Sequence, residues 1–231
     1  MKNQSILYSP FIMGSIIAFT PIFVISYFAA IYNHHIEVDF YHLPMIQNIM
    51  IQLPESRLYS VGMNLLAWWT LPVFLIMDRI LKLKCKIEKC NKDRLIYCIR
   101  WLMNIFAGFS FFGMLGMASI NNKEHSQFHQ ISVFVVVIFL TLYYILFDLE
   151  MCWAKLNVSI INRIWSFLGI IAYLSSYFLF KYQNSELMKS VAALFQYISI
   201  PCFSLKFYDS QHEIYIVHME YITTKRNSYY T

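Results

Sequence analysis

Six stretches of this 231-residue chain run for about the length a helix needs to cross a hydrocarbon layer of roughly 30 Å. They are residues 10–32, 58–77, 101–120, 131–147, 164–180 and 187–205. The first five contain no charged residue, and the sixth carries Lys189 near its start and is followed by Lys206. Lysines at span ends can reach the headgroup layer with their ammonium groups while their stems stay in lipid. Unpaired backbone is costly in lipid, so only helices and closed barrels span it. None of the runs alternates apolar and polar residues with the period of two that a membrane barrel needs. The expected fold is therefore all-α: a polytopic membrane protein forming one bundle of six transmembrane helices over residues 1–231.

Orientation follows from the basic residues. With the N-terminus in the cytosol, fourteen of the 18 Lys and Arg fall on the cytosolic side, eight of them between Arg79 and Arg100. Arg57, Lys123, Lys181 and Lys189 make up the other side. The positive-inside rule then gives N-in and C-in, as an even number of spans requires. The basic 79–100 connection reads first as a topogenic loop beside an anionic lipid surface. A net charge of +5 raises nucleic acid as a partner, but the basic residues separate apolar runs and do not line an aromatic-bearing face, so no nucleic acid is expected. The first run is too long for a signal peptide and no small-residue cleavage site follows it, so it stays as a helix. The sequons at Asn3 and Asn157 fall on the cytosolic side and should carry no glycan. None of the five cysteines falls in an extracytoplasmic loop, so no structural disulfide is expected, while those near membrane boundaries are chemically open to S-palmitoylation.

Polar chemistry concentrates outside the spans. The interval 33–57 holds His34, His35, His42, Glu37, Asp39 and Glu55, and the next loop on the same side adds Glu124, His125 and His129. Five of the seven histidines thus face one compartment. Histidine changes charge between neutral and acidic pH, so solvated loop polarity, a pH response and metal binding all stand as readings. The spacing matches no zinc-protease or zinc-ribbon pattern, and no metal or cofactor is expected. Within the spans, Asn64 and Asn104 are the notable buried polar groups, Asn64 as an interhelical hydrogen-bonding residue. Gly108, Gly113 and Gly116 should permit close helix approach. Intramembrane charges for a proton path and paired groups for hydrolysis are not evident, so the chain reads as non-enzymatic.

One set of residues is more specific. Ser26-Tyr27-x-x-Ala30, His34-His35-Ile36, Pro44, Pro54-Glu55-x-x-Leu58-Tyr59 and Asn64 together resemble the DRAM family, the damage-regulated autophagy modulators. These lie within the wider FRAG/DRAM/Sfk group of six-helix membrane proteins. The resemblance continues through Gly113, His129 and Tyr143 and through Ala192-Ala193 and Asp209-x-Gln211. The chain departs from the pattern at Gln47-Asn48-Ile49-Met50, at Leu194 where the family carries a glutamate, and at Ser132 and Ile138 in place of glycines. The resemblance implies a lysosomal, endosomal or other endomembrane regulator that promotes autophagy through membrane lipids and unidentified membrane or cytosolic protein partners. Its FRAG and Sfk branches imply an alternative in lipid handling, by GPI-lipid remodelling or organisation of a phosphoinositide kinase at the plasma membrane. A channel or transporter is the third class. The candidate functional residues are His34, His35, Pro54, Glu55, Asn64, His129 and Tyr143.

Overall fold

A computed structural model describes residues 21–36, 43–49, 51–87, 94–120, 125–153, 160–182, 185–203 and 205–206, and every regular element among them is helical. In chain order these are α1 (Pro21–Tyr32), the single-turn α2 (Ile46–Ile49), α3 (Glu55–Ile87), α4 (Arg94–Ser119), α5 (Ser126–Trp153), α6 (Ile160–Tyr182) and α7 (186–203). Three stretches are long and apolar enough to cross a membrane: Glu55–Arg79, Arg94–Ser119 and Ser126–Trp153. Two shorter apolar helices are Pro21–Tyr32 and Phe167–Tyr182. The first half of the expected 10–32 span lies outside the described residues, as do the two sequons, His42 and Glu124.

The helices outrun the apolar stretches that announce them. Hydropathy marks only where lipid is tolerated, whereas the i to i−4 ladder continues wherever side chains can be satisfied in water. On α3 the ladder runs on past Met77, where Lys82 Nζ meets Asp78 Oδ2 at 2.5 Å, one turn away. The fourth expected span, 131–147, becomes the 28-residue α5 for the same reason.

Large apolar side chains point outward along the helices, among them Phe112 (68% exposed), Phe167 (67%) and Trp68 (62%). A surface of that kind is suited to lipid, not to water. The interior holds a cluster of Phe74, Met77, Leu81, Met103, Tyr143 and Phe147, contributed by α3, α4 and α5. Because lipid tails are as apolar as leucine, helices in a bilayer associate through close packing and polar contacts, not through a hydrophobic gradient. The most extensive packing is α4 against α5 and α3, and small residues make it possible. A Cβ added to Gly113 would come 2.9 Å from the Val136 side chain, and one on Gly116 would come 2.5 Å from Ser132 Oγ. Gly62 brings α3 onto Ile22 of α1, and Gly169 brings α6 onto Cys202 of α7. Gly108 differs from the expectation: nothing lies within 4 Å of its Cβ direction, so it is not a packing glycine. Asn104 also differs, being exposed on the outer face of α4 and not buried.

At one end of the bundle, charges are buried in pairs. Arg100 of α4 donates through Nε to Glu150 Oε1 of α5 and through Nη2 to the Leu81 carbonyl of α3 at 3.3 Å, tying three helices together. Beside them, Lys206 Nζ donates to both oxygens of Asp148, at 2.6 and 2.8 Å, and stands 5.6 Å from the centre of the Tyr144 ring. Lys206 and Glu150 are completely buried. Such charges are tolerated inside a bundle only when paired.

Candidate functional site

The opposite end is built from the α1 terminus, the loop before α3 and the start of α3. Helix α1 stops with a left-handed residue: His34 has φ of 56°. Its amide donates to the Ile31 carbonyl at 3.0 Å and the His35 amide donates to the Ala30 carbonyl at 2.9 Å. That pair of bonds is a Schellman termination with His34 in the position usually held by glycine. His34 therefore acts through its backbone, and its side chain is exposed. The turn it makes delivers its two neighbours to one carboxylate. Asn33 Nδ2 donates to Glu55 Oε1 at 2.9 Å, and His35 Nδ1 donates to Glu55 Oε2 at 3.1 Å.

Glu55 is fully buried and sits in the first turn of α3, where the unpaired amides of a helix start favour negative charge. Pro54 precedes it through a cis peptide bond with Leu53, and the Pro54 carbonyl accepts the amides of Arg57 and Leu58 at 3.1 and 3.2 Å. Proline thus supplies the first acceptor of the helix and the glutamate fastens it to α1. The result is a clasp in which both carboxylate oxygens are engaged, one by an amide and one by an imidazole.

The loop after the clasp is held to α7. The Leu43 amide donates to Ser190 Oγ at 3.0 Å, the Ile46 amide to Gln196 Oε1 at 3.0 Å, and the Tyr197 hydroxyl to the Pro44 carbonyl at 2.9 Å. Ala30, Ile46 and Ile49 pack beneath these bonds, with Tyr197 and Ile200 partly buried against them. The pattern residues Ala192 and Ala193 are fully buried against Met45, whereas Leu194, at the position of the family's glutamate, is half exposed on the outer face of α7.

Between this loop and α3 to α7 lies a cavity of about 570 Å³. Its upper rim includes Ser56, Arg57, Ile120, His129 and Gln130, and its far wall includes Thr70, Phe74, Met114, Tyr144 and Phe203. On α3 that is a run from Ser56 to Phe74, roughly 27 Å at an α-helical rise of about 1.5 Å per residue. His129 is buried at the rim, with Nδ1 placed 3.0 Å from the Ile120 carbonyl. A carbonyl can only accept, so Nδ1 carries the hydrogen and Nε2 is the acceptor of the neutral ring.

The expected site residues therefore divide. His34, His35, Pro54 and Glu55 come together, Glu55 and His35 by direct contact. His129 is bonded instead to Ile120 and belongs to the cavity rim. Asn64 donates to the Ser60 carbonyl one turn back on its own helix at 2.9 Å, in place of an interhelical bond. Tyr143 is a core residue: it packs against Phe74 with ring centres 4.6 Å apart and directs its hydroxyl at the Met77 sulfur, 3.9 Å away. Sequence reasoning missed Asn33, although an asparagine directly after an apolar run is a frequent helix terminator. Among the described residues no group of three or more His, Cys, Asp or Glu is arranged to hold a metal ion.

A family model described as the Frag1/DRAM/Sfk1/Cwh43P N-terminal domain matches residues 8–215 of the chain. No curated protein and no solved structure matches it.

Proposed function

The chain belongs to the Frag1/DRAM/Sfk1/Cwh43P N-terminal domain family, and on that basis we propose that it is a non-enzymatic, multi-pass membrane regulator of autophagy and endolysosomal function. It spans the bilayer six times as one domain, with both termini in the cytosol, and acts through membrane lipids and membrane or cytosolic protein partners. Three helices long and apolar enough to cross a membrane, two shorter apolar helices and the uneven distribution of Lys and Arg support that reading.

The observation that carries the reading is the clasp. A general acid or base must reach a substrate proton, whereas Glu55 is enclosed and both of its oxygens are occupied by Asn33 and His35. This is the geometry of a tie between α1 and α3. The imidazole half of the tie remains about one-quarter exposed. Deleting the protein should lower autophagic flux, and restoring it with His35→Gln should recover less flux than the native chain does. Unchanged flux on deletion, with the protein at the plasma membrane, would overturn the reading.

The cavity favours a second reading, lipid handling. Purified protein in liposomes separates the two: lipid turnover abolished by Glu55→Gln supports a lipid-handling enzyme, and its absence supports the regulator.

A further inference from the structure

We infer that the cavity between α3 and α7 is a lipid-chain site, taking one acyl chain of an anionic phospholipid with the phosphate at Arg57 and the tail directed toward Phe74 and Phe203. The volume, about 570 Å³, is in the range that holds a single small ligand. The residues that line it on α3, from Ser56 to Phe74, extend over roughly 27 Å, nearly the thickness of the hydrocarbon layer, which suits a chain more than a compact molecule. Three of the helices that line it, Glu55–Arg79, Arg94–Ser119 and Ser126–Trp153, are apolar enough to cross a bilayer, which suits an occupant that dissolves in the bilayer.

Polarity falls along that run. The rim carries a charge, Arg57, which is exposed, together with the Ser56 hydroxyl, the Gln130 amide and the Nε2 acceptor of His129. Three of the deeper polar groups are engaged within the protein. Thr70 Oγ1 donates to the Ala67 carbonyl at 2.9 Å, Ser199 Oγ to the Gln196 carbonyl at 2.8 Å, and Gln196 Oε1 accepts the Ile46 amide. What these residues present to the cavity is largely hydrocarbon. Glu55, two residues before Arg57, makes its described side-chain bonds to Asn33 and His35 and not to Arg57. A cationic rim over an apolar shaft complements a phosphate joined to a hydrocarbon tail, since guanidinium pairs with phosphate through two parallel hydrogen bonds.

The inference stands apart from the regulator reading, because a regulator and a lipid handler can both hold such a chain. It is tested with the full chain in phosphatidylcholine nanodiscs and two photoactivatable probes, phosphatidic acid and diacylglycerol, each with a diazirine near the end of one acyl chain. Phosphatidic acid should label the level of Phe74, Met114 and Phe203. Val137→Trp, which fills the shaft, should reduce that labelling roughly tenfold, and Arg57→Gln should reduce it to a similar extent for phosphatidic acid while leaving diacylglycerol labelling unchanged. Arg57 is exposed, so its variant keeps the fold and preserves the test if Val137→Trp does not. Labelling confined to outward residues such as Trp68 and Phe112, or equal labelling by both probes, overturns the inference. Labelling without an autophagic phenotype removes the regulator reading and leaves this one, and a phenotype without labelling does the reverse.

Discussion

One end of the bundle is closed by full charges, Arg100 of α4 with Glu150 of α5 and Lys206, beyond α7, with Asp148 of α5, and all but Asp148 are buried. The other is closed by a single carboxylate shared between an amide and a half-buried imidazole, and it opens directly onto the cavity rim. The difference teaches where this fold is rigid and where it can respond. Separating these pairs leaves Arg100, Glu150 and Lys206 without solvent, so the ion-pair end opens only at high cost. The clasp end depends on one carboxylate with one imidazole and one amide, and water reaches the imidazole. Among the described residues, the clasp end is the one that borders the cavity.

Removing one partner at the charged end should have the largest effect. Glu150→Ala strands the Arg100 guanidinium and should cost about 3–5 kcal/mol of stability, read from denaturant unfolding in micelles. The double variant Arg100→Met with Glu150→Leu should recover most of it, and a cost below about 1 kcal/mol for the single variant would show that this end is not held by the pair. Lys206→Met should cost less, about 2–3 kcal/mol, because Asp148 keeps some access to water. Gly116→Leu drives a side chain into Ser132 and should cost about 1–3 kcal/mol. Glu55→Gln keeps the shape of the clasp and loses its charge. About 1 kcal/mol is expected, because the carboxylate's bonds to Asn33 and His35 are weakened. Smallest of all, Gly108→Ala meets open space on an established helix and should stabilise by up to about 1 kcal/mol.

Much of this contrast was hidden in the sequence for a definite reason. Counting Lys and Arg treats each as a solvated marker of the cytosolic side, so Arg100 and Lys206 entered the count as topogenic charges. Only the packing of α4 against α5, and of α7 beside it, shows that they are enclosed. The helices themselves were legible, because an uncharged run of about 20 residues leaves the backbone few other choices. Glu55 and His35 were legible as candidates from their residue types, but not the turn that joins them. That turn depends on His34 adopting a positive φ, which residue identity alone rarely signals. The polar residues inside the spans misled for a related reason. A 3.6-residue period cannot say whether Asn64 will bond across to a neighbour or back to Ser60, nor that Asn104 faces outward. The cavity was beyond reach altogether, being a property of five helices and one loop at once.

Hydrogen exchange on the full chain in nanodiscs tests the central contrast most directly. The account predicts strong protection at the ion-pair end, around residues 78–82, 99–103 and 147–151, in every lipid. Residues 43–60 and 125–133 at the clasp and rim should exchange faster in phosphatidylcholine and become protected when phosphatidic acid is added. Equal protection of the two ends, unaltered by the anionic lipid, would contradict it.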